Sequence, residues 1–190
     1  MKSFKEDIFK AITYSSREAL KRELLWIYNH CIEERIFVSG RSESNPFLTK
    51  ICLYYDKYED IEIRVNIYGD KSYSYQENLH DHKWSFISTI LRGDLTHTIY
   101  KRDFKSNFIS DVNHLVCGDT YKLTAGQIHT VVPSNDLITI LIRGPRVFES
   151  WAMYDQQGSK LNFESKSDSK SIILSDREVE CLIENLPPIS

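Results

Sequence analysis

His80 and His82 are separated by one residue, and a strand alternates its side chains between two faces, so the two imidazoles point the same way and stand close enough to share one metal ion. Asp81, between them, points the other way. A third imidazole, His129, opens a β-branched run just past a turn marked by Gly126. Three neutral imidazoles with coordination positions to spare suit Fe(II), Ni, Zn or Cu, with Mn a further candidate, because nitrogen ligands discriminate weakly and availability decides. The alternative for the same residues is a surface pair and a hydrogen-bonded core histidine.

The elements that would hold these side chains are legible around them. Trp84-Ser-Phe-Ile-Ser-Thr-Ile-Leu91 is rich in aromatic and β-branched residues and runs into Gly93, as a buried strand entering a turn should. His80 to Arg92 is therefore expected as one stiff strand. Tyr121 to Thr124 is expected as a second strand, turning at Gly126 into the run that carries His129.

Taken together, Gly118 through Pro133 and His80 through Gly93 resemble the two motifs of the cupin superfamily. The first family motif is glycine, five residues, His-x-His, three or four residues, glutamate, six residues, glycine; His80, His82 and Gly93 fall on it at the shorter spacing. The second is glycine, five residues, Pro-x-Gly, two residues, histidine, three residues, asparagine; Gly118, Gly126 and His129 fall on it without a gap. Ser74, Thr124 and Pro133 depart from the pattern, and Phe86 stands where the family usually has a ligand glutamate. A histidine at each of three positions and an apolar fourth is similar to the three-histidine cupins, among them thiol dioxygenases. The resemblance implies that His80, His82 and His129 hold the metal, with Fe(II) favoured. It also has limits: the Ser, His and Tyr that thiol dioxygenases place past the last ligand correspond here to Ile142, Gly144 and Arg146, and their crosslinked cysteine to Ile87. Cysteine dioxygenase proper is not implied.

Other residues could serve such a site. His97 lies on a return strand after Gly93, either as a partner orienting a ligand imidazole, as a proton-transfer group, or as a core histidine between Leu95 and Ile99. His97 or Tyr100 would be the acid or base of a non-redox isomerase or lyase. Arg143 ends the apolar run Leu137 to Ile142, and a cation at the end of a buried strand needs a carboxylate partner or a ligand. It is the preferred anchor for an acidic substrate, weighed evenly against a salt bridge. Arg64 lies on the polar face of Ile61 to Tyr68, where Ile61, Ile63, Val65 and Ile67 alternate with Glu62, Arg64 and Asn66. The simpler expectation puts the isoleucines in the core and Arg64 in water; the functional one has Arg64 gripping a carboxylate, as an upstream arginine does in thiol dioxygenases. Trp84 and Phe86 would shape an apolar wall.

The rest of the chain bounds the answer. Its 190 residues and 41% hydrophobic content fit one globular domain with a full core. A net charge of −3 argues against nucleic acid and anionic membrane as partners. No apolar run reaches the ~18 residues of a membrane span, and the charged N-terminus lacks a secretory core, so a cytoplasmic protein is expected. Cys31, Cys52, Cys117 and Cys181 are scattered and read as free buried thiols. Ser3-x-x-Glu6, Ser15-x-x-Glu18 and Ser175-x-x-Glu178 have capping-box spacing, predicting two N-terminal helices and a short C-terminal one ended by Pro187 and Pro188. Leu20, Leu24, Ile27, Tyr28, Cys31 and Ile32 form one apolar stripe that must cover a barrel or a sister subunit. His30 beside it reads as a helix-surface residue. Residues 40–46, 69–78 and 158–171 read as loops, and 101–114 as polar and irregular with His114 exposed.

These readings converge on a mainly β, cupin-type jelly-roll barrel over 48–155, with a helical extension over 1–37 and a loop and helix over 156–190. The expected function is a non-heme Fe(II) oxygenase, thiol-dioxygenase-like, taking a small carboxylate-bearing molecule and O2, with a homodimer compatible with the family. The alternatives are a non-catalytic metal- or ligand-binding cupin and the non-redox enzyme named above.

Overall fold

The computed structural model describes residues 17–69, 79–102, 108–161 and 171–186. The capping residues Ser3, Glu6 and Ser15, the first N-terminal helix, Ser74, most of the loop before His80 and the two C-terminal prolines lie outside them.

Two antiparallel sheets face one another. The first has seven strands: β1 (Glu43–Ser44), β2 (Leu48–Asp56), β3 (Ile61–Tyr68), β5 (Trp84–Arg92), β8 (Thr120–Leu123), β10 (Ile138–Arg146) and β13 (Ile172–Ile173). They run in the order β13-β1-β2-β3-β10-β5-β8. The second has six: β4 (Leu79–His80), β6 (Asp94–Arg102), β7 (Phe108–Val116), β9 (His129–Pro133), β11 (Met153–Tyr154) and β12 (Lys160–Leu161), ordered β12-β11-β4-β9-β6-β7. With the helices α1 (Arg17–Glu33) and α2 (Asp176–Glu184), this is the expected mainly β, two-sheet jelly roll with helical additions.

Two apolar clusters divide the molecule. One joins Leu20, Leu24, Ile27, Tyr28 and Cys31 of α1 and Val179 and Ile183 of α2 to Ile63, Val65, Ile87, Ile140 and Ile142. It lies on the outside of the first sheet, so the α1 stripe covers this chain's own barrel. Each such aliphatic side chain contributes about 1.5–3 kcal/mol by leaving water. The other cluster, with Phe86, Ile90, Leu95, Tyr121, Leu123 and Leu141, fills part of the space between the sheets. The isoleucine face of β3 thus belongs to the outer cluster, and Glu62, Arg64 and Asn66, one step out of phase, turn inward. Arg64 is not in water: only 13% of its side chain is exposed.

Several boundaries differ from expectation for identifiable reasons. His80 and His82 do not share one strand: β4 ends at His80, and after a break at 81–83 the chain enters the other sheet as β5. Of residues 101–114, read as irregular, 101–102 end β6 and 108–114 belong to the edge strand β7, most of whose side chains are exposed, so its sequence has no alternation to show. His114 is exposed there, as expected. The loop over 40–46 contains β1, and Arg146 extends β10 across a register shift. Cys31 and Cys52 are buried free thiols, but Cys117 and Cys181 are exposed. His30 is exposed on α1 and stacks on Trp26. The capping box at Ser175 and Glu178 is formed in full.

The motif glycines have steric causes. Gly93 turns β5 into β6 at φ +76°, and a Cβ there would meet Ser134 Oγ at 2.5 Å and Leu137 Cα at 3.0 Å. Gly126 also has positive φ, and its N–H donates to the His82 carbonyl at 2.9 Å, tying the second motif to the first.

Candidate metal centre

His80 and His129 are directly opposite each other in the β4–β9 ladder, which brings their ring centroids to 4.5 Å. His82 reaches the same place from the break between β4 and β5, 4.9 Å from the His80 ring and 5.0 Å from that of His129. One ring nitrogen of each of the three lies within 4.8 Å of the others. His82 Nε2 and His129 Nε2 are 2.9 Å apart. Nitrogens that each sit about 2.1 Å from one ion at roughly right angles lie about 3 Å from each other, so this spacing suits a shared cation.

The protonation state suits it too. Burial lowers the His82 imidazole to about 3, with further lowering from His80, Arg64, Lys50 and His97. His129 is held well below its ordinary value by burial and then by His80, His82 and His97. Metal binding needs the neutral ring, and these surroundings supply it without a proton being displaced. The three imidazoles are a group able to hold a metal ion.

His97 is buried beside the group. Its Nε2 is 3.0 Å from Nδ1 of His129, and burial, followed by the charge of His80, lowers it to about 4. Of the three roles considered for it, the geometry is that of a partner orienting a ligand ring. Tyr100, an odd number of residues along β6, takes the opposite face and stacks on Phe108 with centroids 5.0 Å apart. It is not brought to the histidines.

Phe86 meets the His82 ring edge-on at 5.3 Å and is buried, so an apolar face closes the side on which the resemblance expects a carboxylate. Trp84 lies nearly parallel to the His82 ring at 6.1 Å. Its indole Nε1 is buried without a hydrogen-bond partner among the described residues, so Trp84 offers a donor as well as a wall.

The two arginines differ in how far their donors are already used. Arg143 Nη2 lies 3.0 Å from Asp60 Oδ1 and 3.1 Å from Glu62 Oε2; Nε donates to Glu62 Oε2, and Nη1 donates to the Asp60 and Gly144 carbonyls. Its guanidinium also sits 4.9 Å over the Trp84 ring. This is the salt bridge rather than the substrate anchor, because every donor group is committed to the protein. Arg64 has one long contact, Nη1 to Glu62 Oε1 at 3.5 Å, while its buried Nε completes no hydrogen bond among the described residues. Its charge reaches His82.

Asp81 was passed over in the sequence because it points away from the histidines. It accepts from the Ala152 N–H and from the Tyr154 hydroxyl, each at 2.6 Å, clasping β11 onto β4 between the two motif histidines. The cue was its position alone. Tyr154 is held in place by that bond, and nearby Trp151 is largely exposed.

No protein-family model matches the chain, and no curated protein matches its sequence. Solved structures do resemble it in part. An RmlC-like cupin from Shewanella frigidimarina shares 15% identity over 57% of this chain and 89% of its own, at a TM-score of 0.40. Oxalate decarboxylase from Bacillus subtilis shares 15% over 66% of this chain and 32% of its own, at 0.43. Iron-containing HppE shares 12% over 52% of this chain and 50% of its own, at 0.40. The matched region spans about half of the HppE chain and a third of the decarboxylase chain. Likenesses this distant leave the chemistry to the residues. Among the described residues, no helix is long and apolar enough to cross a membrane.

Proposed function

We propose that this chain is a non-heme Fe(II) oxygenase of the three-histidine type, thiol-dioxygenase-like, that acts with O2 on a small carboxylate-bearing molecule. The observation that carries the reading is the pairing of three clustered imidazoles, His82 and His129 held neutral by burial, with an inward-facing arginine whose Nε completes no hydrogen bond among the described residues. His80, His82 and His129 would hold the ion, which when bound would supply the redox chemistry that lets substrate and dioxygen react. Ni, Zn, Cu and Mn are the other ions this donor set accommodates.

The remaining steps belong to the chain. With Nε2 of His129 as ligand, its neutral ring carries a proton on Nδ1, which donates to His97 Nε2; His97 thereby fixes the tautomer and orientation of the ligand ring. That role leaves His97 no free position for proton transfer to substrate through Nε2. Arg64 would neutralise the carboxylate with Nε and a terminal nitrogen, drawing its weak contact off Glu62. Trp84 would add a donor to the same ligand, and Phe86 keeps water from the ion while contributing no charge.

Anaerobic loading with Fe(II), followed by oxygen-uptake measurement over small thiol, hydroxy and diketone carboxylates, tests the reading. Stoichiometric iron with substrate-dependent oxygen consumption is the expected result. Tight iron without consumption across the panel would instead favour a ligand-binding cupin, a reading that the same unsatisfied polar atoms serve equally well. Product without oxygen uptake would point to a non-redox enzyme, for which Tyr100 is on the wrong face.

A further inference from the structure

The inner face of the first sheet carries more hydrogen-bonding capacity than the protein itself uses. Arg64, Asn66 and Tyr68 follow one another at two-residue steps along β3 and share that face. Asn66, only 3% exposed, stands opposite Thr139 of β10; its Nδ2 donates to Thr139 Oγ1 at 3.4 Å, and its Oδ1 completes no hydrogen bond among the described residues. Ser88 of β5, fully buried, faces Tyr121 of β8 in the ladder; its Oγ lies near the Tyr121 hydroxyl without completing a hydrogen bond of good geometry among the described residues. Burial first, and then the Tyr68 phenol, push the Tyr121 hydroxyl well above its ordinary value, against a smaller lowering from Ser88. Each unpaired buried polar atom costs about 1–3 kcal/mol. Several of them on one wall call for a polar occupant.

Charge and geometry narrow that occupant. Arg64 lies two residues along β3 with only its long contact to Glu62, so its cation stands against an ammonium group there, whereas Lys50, opposite Asn66 on β2, is already paired with Glu43. A half-turn of the Asn66 amide exchanges its oxygen and nitrogen, so the matching group is one that pairs in either orientation. A hydroxyl donates, accepts and is neutral. Positions two apart on a strand are about 6.8 Å from each other, a span that a short acid covers with a hydrogen bond at each end.

We infer that the barrel contains a hydroxyl-binding subsite made by Asn66, Ser88, Tyr68 and Tyr121, which makes the substrate a hydroxylated carboxylate rather than a plain or amino-bearing one. This rests on the reading of Arg64 as the carboxylate anchor, and the test separates the two. Protein loaded with redox-inert Zn(II) is titrated calorimetrically with propionate, 3-hydroxypropionate and 3-aminopropionate. The hydroxy acid should bind at least about tenfold more tightly than propionate, the energy of one well-made buried hydrogen bond, and the amino acid most weakly. Asn66→Leu should abolish the preference for the hydroxy acid while leaving propionate binding in place; Ser88→Ala should narrow it, and stands as the readout if Asn66→Leu does not fold. Equal binding of propionate and 3-hydroxypropionate by the unaltered protein, as when a buried water fills the wall, overturns the subsite and leaves the Arg64 anchor standing. A preference that survives both substitutions would come from chelation of the ion by the hydroxyl, and overturns it likewise. Failure of all three acids to bind, with Arg64→Gln behaving identically, overturns the anchor and the subsite together.

Discussion

Along β3, Ile61, Ile63, Val65 and Ile67 pack beneath α1 and α2, whereas Glu62, Arg64 and Asn66, one residue out of step, face the second sheet. The outer face is closed: its side chains are apolar and covered by the chain's own helices. The inner face is left open in the energetic sense, with Arg64 Nε, Asn66 Oδ1, Ser88 Oγ and Trp84 Nε1 buried and without a hydrogen-bond partner among the described residues. Arg64 and Arg143, on adjacent strands, repeat the contrast in a single residue type. Arg143 is held by Asp60 and Glu62 and stabilises the fold; Arg64 keeps unused capacity. What separates the two arginines is whether their hydrogen bonds are already made within the protein.

The contrast predicts that inner substitutions change binding and outer ones change stability. The largest effect is expected from His82→Ala, which should reduce metal content from stoichiometric to background by elemental analysis while leaving the melting temperature of the metal-free protein undiminished. Conversely, Ile140→Ala, at the centre of the outer cluster, should cost about 2–5 kcal/mol in denaturant unfolding with no change in the metal affinity of the folded protein. If Ile140→Ala weakened the metal site or His82→Ala destabilised the metal-free fold, the division between the faces would fail.

Arg64→Gln and Arg143→Gln sharpen it. The first should weaken carboxylate binding about 10- to 100-fold, roughly one charge-assisted hydrogen-bonded contact, with little change in unfolding free energy; the second should do the reverse. His97→Phe, which leaves His129 Nδ1 without its partner, should lower metal affinity about tenfold, and His97→Gln should restore part of it, as metal titration would show. The smallest effect concerns acid stability. Burial alone would raise the Asp60 carboxyl, but its hydrogen bond to Arg143 and the charges of Arg143 and Arg146 bring it below its ordinary value. Its contribution to stability is therefore present above the unfolded carboxyl's range and lost as pH falls through the lower folded value. Asp60→Asn should flatten the acid limb of the stability curve slightly, and an unchanged limb would mean the pair is screened.

The spacing of His80, His82, Gly93, Gly118, Gly126 and His129 was enough to locate the metal-binding group, because each glycine meets a local steric demand and each histidine a local chemical one. The apolar stripe of α1, the alternation of β3 and the capping box of α2 were equally legible, since periodicity and capping are properties of neighbours in the chain. The break at 81–83 and the exposed edge strand β7 were not: one depends on which sheet the chain joins next, the other on a strand with almost nothing to bury.

Which face of β3 looks into the barrel could not be read from alternation, because the pattern is the same whether the apolar side packs on another sheet or beneath helices. Only the docking of α1 and α2 onto the isoleucines turned Arg64 inward, and only the ladder between β3 and β10 set Glu62 beside Arg143. Residue types and short spacings therefore determined the chemistry available. The fold determined which of two similar cations is fully paired within the protein and which keeps an unsatisfied donor among the described residues, since that depends on partners brought from some eighty residues away.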